Sequence, residues 1–230
     1  MSGRGAEFLE FSLEIIAAQT FTDFEVVISD QSLNEEILHV SEKAAKAIAT
    51  RHIPFPIKRG NPSANLNNAI RNARGKLVKV LFQDDFLYDD TSLEAIVTAF
   101  DLQTHRWLVT ASEHSEDGLT HVRRFTPRYS PRMHRGDNTI SSPSVLTIKN
   151  DEPLLFDENL VWLMDCDYYS RCHEAFGPPL ILDRVTVVNR IGPHQVTNTL
   201  ADRRLKRRER TYMIWKHRLR MMTGPFRKHV

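Results

Sequence analysis

At 230 residues, 41% hydrophobic and 26% charged, the chain is long enough for a sizeable core and has the composition of an ordinary soluble protein. Its apolar runs, such as residues 77–82 and 181–188, are short and broken by charge, which excludes a span of about 20 residues. The opening MSGRGAEFLEF has no signal-peptide core, and two cysteines, Cys166 and Cys172, make neither a disulfide framework nor a zinc site. These readings place the chain in a reducing cytoplasm, free or at the inner face of a membrane. Net charge is +2, yet residues 202–230 alone carry eleven Lys or Arg against two acids, +9, leaving −7 for the rest. An acidic body with a basic tail suggests an anionic partner for the tail: lipid head groups, nucleic acid or an acidic protein face. A solvated helix is the plain alternative.

In chain order, residues 8–19 place Phe8, Leu9, Leu13, Ile16 and Ala17 at helical spacing. FEVVIS, residues 24–29, reads as a buried strand ending at Asp30-Gln31-Ser32, which also offers a helix start. A helix over 35–50, an extended piece over 54–59, a helix over 65–73 closed by Gly75, and a strand over 77–82 follow. A helix over 93–102 and a strand over 107–111 continue the alternation, which predicts an α/β fold with a mostly parallel sheet. Residues 113–138 are polar and rich in Arg and His, and read as a long functional loop. Residues 157–176 end as a helix stopped by Gly177-Pro178-Pro179, residues 180–191 have strand character, and the tail from Asp202 is helical. Leu205, Tyr212, Trp215, Leu219 and Met222 recur along that tail at three, four or seven residues, a stripe for docking on the body or on a partner such as a second copy. The expected division is a body over 1–200 and a basic helical tail over 201–230.

Carboxylates mark three strand ends or bends: Asp30, Asp84 with Asp85, and Asp165 with Asp167. Two adjacent carboxylates after a buried strand stand where an open sheet presents its ligands. Hard divalent cations take oxygen donors and bridge to phosphate, so the pattern points to nucleotide or phosphate chemistry. Each acid taken singly is also an ordinary turn former or helix cap.

The blocks FLEFSLEIIAAQTFTDFEVVISDQS, NLNNAIRNARGKLVKVLFQDD, ISSPSVLTIKN, FDENLVWLMDCDYYSR and RIGPHQVTN, together covering most of residues 8–200, resemble the family-2 glycosyltransferases of the GT-A fold. The resemblance implies transfer of a sugar from a nucleotide-diphosphate donor to a hydroxyl acceptor, with inversion and with Mn²⁺ or Mg²⁺. It puts Asp30 at the nucleotide base or ribose and Asn67 at the Asn of the helix before the metal strand. Asp84 and Asp85 fall on the family's Asp-x-Asp-type motif, Asp85 as metal ligand and Asp84 as ribose or metal-water contact. Asp165 falls on the general base. His194, in GPHQVTN, lies where some members touch the metal or diphosphate; a surface-loop histidine is the alternative.

Several positions depart from the family. Its chains open with a strand reading as an apolar run and Pro-x-Tyr-Asn, where only residues 1–5 stand here. That strand is central in a doubly wound sheet, so its absence would leave unpaired backbone groups and an apolar hole in the core unless another segment fills the gap. Phe82 replaces the first Asp of the motif, Met164 the Glu before the base, and Leu66 the Arg before Asn67. A competing reading is an inactive relative that binds a nucleotide sugar or a partner enzyme. A nucleic-acid binder acting through residues 203–220 ranks last, because no recognition motif accompanies the basic run.

Overall fold

The computed structural model describes residues 4–193 and 202–223. Helix α1 (Gly5–Ala17) turns Leu9, Leu13 and Ile16 inward onto Ile28 of β1 (Val26–Asp30) and Ile37 of α2 (Glu36–Ala44). Strand β2 (Thr50–Pro54) pairs in parallel with β1, Val26 opposite Thr50 and Asp30 opposite Pro54. The predicted second helix therefore stops short, because Thr50 is drawn into a ladder that only β1 can supply. Asn61 caps α3 (Pro62–Asn72), accepting from Ala64 N at 2.9 Å, and Pro62 pre-sets the first turn.

The larger sheet contains β3 (Leu77–Lys79), β4 (Phe86–Leu87), β5 (Trp107–Ser115), β6 (Val122–Phe125), β7 (Leu146–Lys149) and β8 (Leu180–Arg190). Its order is β3-β7-β5-β8-β4, with β6 on the end of β5. Helix α4 (Ser92–Ala99) precedes β5, α5 (Met164–Phe176) precedes β8, and α6 (Arg203–Thr223) closes the described chain. The α/β class is as expected, but the pairing is mixed rather than mostly parallel. β5 and β8 run parallel, whereas β7 returns antiparallel between β3 and β5, and β4 and β6 also pair antiparallel. The cause lies in the predicted long loop over 113–138, which holds β6 and feeds the chain back through β7.

The strands form two separate sheets. Among the described residues β1 pairs only with β2 and β3 only with β7, so each has an edge with no ladder partner. Polar ties through α3 hold the two pieces together. Glu25 Oε1 accepts from Arg74 N at 2.6 Å, Arg51 Nη1 donates to Asn72 O at 2.8 Å, and Ser29 Oγ meets Asn65 and Asn68. Burial follows the ladder: no residue of β3 is buried, while Trp107, Leu108 and Val109 of β5 are sealed.

The main core lies under α5 and gathers Trp107, Ile140, Leu146, Leu160, Tyr168, Tyr169 and, from α6, Met213. Its aromatics keep their polar ends satisfied, Trp107 Nε1 on Gly177 O and Tyr169 Oη on Ser142 O, both at 3.0 Å. Among the described residues no helix is long and apolar enough to cross a membrane.

Candidate active site

Asp84 and Asp85 follow β3 in a turn closed by Asp85 N on Phe82 O at 3.0 Å. Strand β4 then pairs Phe86 and Leu87 with Val188 and Val187, which seats Asp85 beside the end of β8. Asp85 is 4% exposed. Its Oδ1 accepts from Arg190 N at 2.9 Å, and its Oδ2 from Asn189 Nδ2 at 2.8 Å and Ser142 Oγ at 3.3 Å. Burial pushes this carboxyl upward, the Asp84 charge adds to the shift, and the bonds from Asn189 and Arg190 oppose it. Burial also lowers the Lys79 amine to about 7, against the pull of Asp85; that amine donates to Ser144 O. The Arg190 guanidinium lies over Phe8, Phe11 and Phe86, with Nε on Asp84 O at 3.3 Å.

Asp165 stands in the first turn of α5, half-buried. Its Oδ1 accepts from Cys166 N and its Oδ2 from Asn138 Nδ2, both at 2.6 Å. Burial raises the carboxyl to about 6, and these two bonds restrain the rise. Residues 138–142 connect this acid to the other. Asn138 also donates to Ser141 O at 3.0 Å, Ser141 Oγ donates to Asn189 Oδ1 at 3.1 Å, and Asn189 Nδ2 donates to Ser142 Oγ at 2.7 Å. Ser141 adopts φ +101°, a strained backbone for a side-chain-bearing residue, held by Asn138 Oδ1 accepting from Ile140 N and Ser141 N. Asp85 and Asp165 thus belong to one polar network.

Asp30 and Asn67 have hydrogen-bond partners of their own. Asp30 ends β1, and its carboxyl accepts from Ser32 N at 2.7 Å, Ser32 Oγ at 2.9 Å and meets His52 Nε2 at 2.9 Å. Asn67 is 1% exposed and staples α3 to the 156–158 loop, through Phe156 N and O and Glu158 Oε1. His194 lies outside the described residues. Asp167 is neither paired with Asp165 nor solvated; it is buried against Arg171 Nε at 2.7 Å and Lys216 Nζ at 2.8 Å. Sequence reasoning missed Asn138, Ser141, Ser142 and Asn189 as functional residues, although ISSPSVLTIKN carried two of them. Leu66, Phe82 and Met164, the three departures from the family pattern, all pack into the main core.

Among the described residues no group of three or more His, Cys, Asp or Glu could hold a metal. The donor set that remains is Asp84 with Asp85. Carboxylate oxygens are the donors a hard cation takes, and in this structure both oxygens of Asp85 are engaged by Arg190 N, Asn189 and Ser142.

Residues 3–148 match the sequence family described as Glycosyl transferase family 2, and the chain belongs to that family. The fold is that of the GT-A glycosyltransferases. It is similar to S. aureus TarS at TM-score 0.65 and 16% identity, over 93% of this chain and 42% of that one. TarS 1–349 in complex with UDP-GlcNAc gives TM-score 0.66 and 16% identity, covering 92% of this chain and 64% of that one. The mannosyltransferase PcManGT from Pyrobaculum calidifontis, in complex with GDP-Man and Mn²⁺, gives TM-score 0.61 and 16% identity, over 93% and 61%. The chain thus spans 42% to 64% of the chains in these three structures. No curated protein matches it.

Proposed function

We propose that the chain is an inverting, metal-dependent glycosyltransferase that moves a sugar from a nucleotide-diphosphate sugar to a hydroxyl acceptor. The single observation that carries this is the network tying Asp85 to Asp165 through Asn189, Ser142, Ser141 and Asn138. It fixes a paired acid site and a separate, raised-pKa acid in one frame. Asp165 takes the acceptor hydroxyl's proton as that oxygen attacks, and in-line displacement with one such base inverts the anomeric carbon. Asp84 and Asp85 would hold Mn²⁺ or Mg²⁺, which when bound neutralises charge on the departing nucleoside diphosphate. Asp30, at the base or ribose, and Asn67 belong to the nucleotide-sugar side of the site, and His194 is the remaining candidate contact to metal or diphosphate. Calorimetry with UDP is expected to show binding in Mn²⁺ that EDTA abolishes. No metal-dependent binding of UDP, GDP or dTDP would overturn the reading.

The exposed face of α6 supports a second assignment, contact with an anionic membrane surface on the cytoplasmic side. Positions 204, 208, 211, 215, 218 and 222 alternate steps of four and three, which lays Arg204, Arg208, Trp215, Arg218 and Met222 along one face. Trp215 is 57% and Met222 82% exposed. An apolar Trp-bearing end beside arginines suits an interface of anionic head groups. The chain is expected to sediment with phosphatidylglycerol vesicles, not with phosphatidylcholine alone, and Trp215→Ala should weaken that binding. Failure to sediment, with a dimer by light scattering, would assign the face to a second copy instead.

A further inference from the structure

The basic tail carries only two acids, Asp202 and Glu209. Glu209 is 1% exposed, and it points into the body rather than toward the arginines around it. Its Oε1 accepts from Val161 N at 2.8 Å, and its Oε2 from Trp162 N and Leu163 N, each at 2.9 Å. These are consecutive donors of the turn that enters α5, whose own N-cap residue, Leu163, makes no side-chain cap bond. A helix start leaves its first N–H groups without intrahelical partners. Here a side chain from another helix takes up three backbone donors of that entrance at once.

Two residues beyond this turn stands Asp165. Gly136 (φ +88°) lies close to this turn, where a Cβ would come within 3.1 Å of Leu163 Cδ2, and it leads directly to the segment of Asn138, the donor to Asp165. Ion pairs fix α6 along α5. Lys216 Nζ reaches Asp157 at 2.5 Å and Asp167 at 2.8 Å, Arg220 Nε reaches Glu174 at 2.8 Å, and Lys206 Nζ sits 5.0 Å over the Trp162 ring. A buried acid inside an otherwise basic helix, spending both oxygens on the turn before the proposed base, does more than attach a tail.

We propose that Glu209 is a positioning residue for the transfer reaction, setting the placement of Asp165 by clamping the amides of Val161, Trp162 and Leu163. This rests on the reading of Asp165 as the base. Helix α6 is then part of the catalytic unit through its inner face. Misplacing a reacting group by about 1 Å costs on the order of 100-fold in rate, so the clamp acts on turnover and leaves the Asp84–Asp85 end of the site untouched.

Glu209→Gln is nearly isosteric but turns one acceptor into a donor that opposes the amides. In the full chain it is expected to lower kcat roughly 10- to 100-fold, with UDP affinity in Mn²⁺ and donor KM unchanged. Glu209→Asp, which keeps both acceptor oxygens, should recover part of the rate. The Asp165 carboxyl, followed by carbon NMR, should titrate at a different pH in the Gln variant than in the parent. Loss of melting temperature with unchanged kcat and unchanged Asp165 titration would make Glu209 a structural brace only and overturn the proposal. Should the parent chain transfer no sugar from any donor, the enzyme reading fails by itself. The Asp165 titration still decides the clamp, because an unmoved carboxyl in Glu209→Gln refutes it without any turnover.

Discussion

Asp165→Asn is expected to reduce sugar transfer by on the order of 100- to 10,000-fold, the range for removing a positioned general base, with nucleotide binding intact. The substitution keeps the side chain's shape and the oxygen that can accept from Asn138, so the turn into α5 should hold. What it removes is the capacity to take a proton. Calorimetry with UDP and Mn²⁺ should return the parent affinity, because Asp165 meets Asn138 and Cys166 rather than the Asp84–Asp85 pair. The parent's rate should carry the matching pH signature. Burial raises the Asp165 carboxyl to about 6, so the base form is present above that pH and is lost as pH falls through it. Asn138 donates to that carboxyl and holds the rise in check, so Asn138→Ala should move the acid limb of kcat to higher pH. Turnover retained in Asp165→Asn, or an acid limb indifferent to Asn138, would remove Asp165 from the role of base.

As candidates, Asp84, Asp85 and Asp165 could be read from the sequence because together they follow an apolar run and precede a helix in the order the resemblance implies, although each alone is an ordinary turn or cap acid. The residues joining them could not. Asn138, Ser141 and Ser142 sit in a polar loop whose composition says only that it is a loop, and Asn189 ends a strand whose neighbours are set by pairing. Their roles depend on β7 and β8 bringing two distant loops together, a tertiary fact with no local period. Strand β2 was hidden for a related reason, since Thr50 and its neighbours extend because β1 lies beside them. Glu209 had a faint signal, one acid amid a run of arginines, which reads as noise until its three amide partners are known. The tail's apolar stripe was read as one surface. The structure divides it, with Tyr212 inward on Asp157 at 2.9 Å and Trp215 outward.

Asp85→Asn is expected to abolish cation-dependent nucleotide binding while making the metal-free fold relatively more stable as pH rises. The carboxyl is raised in the folded chain by burial first and by the Asp84 charge second. A group that holds its proton to higher pH when folded makes the native state the more protonated one across that interval. Stability therefore declines as pH climbs from the ordinary carboxylate range through the raised value. Asn cannot ionise, so the variant escapes the decline. Its remaining oxygen can still accept from Arg190 N, its amide can donate to Ser142 Oγ, and Asn189 Nδ2 keeps its bond to Ser142 at 2.7 Å. The residual cost should be about 1 to 3 kcal/mol, because Asn189 Nδ2 loses its buried acceptor at position 85. Melting both proteins in EDTA from about pH 5 to about pH 8 should show the difference moving toward the variant as pH rises. A difference flat in pH would mean that the buried charge is not a burden on the fold. Mn²⁺-dependent UDP binding that survived the substitution would take Asp85 out of the metal site. The two expected results together would identify a charge the fold carries at the expense of its own stability, which is the mark of a ligand site.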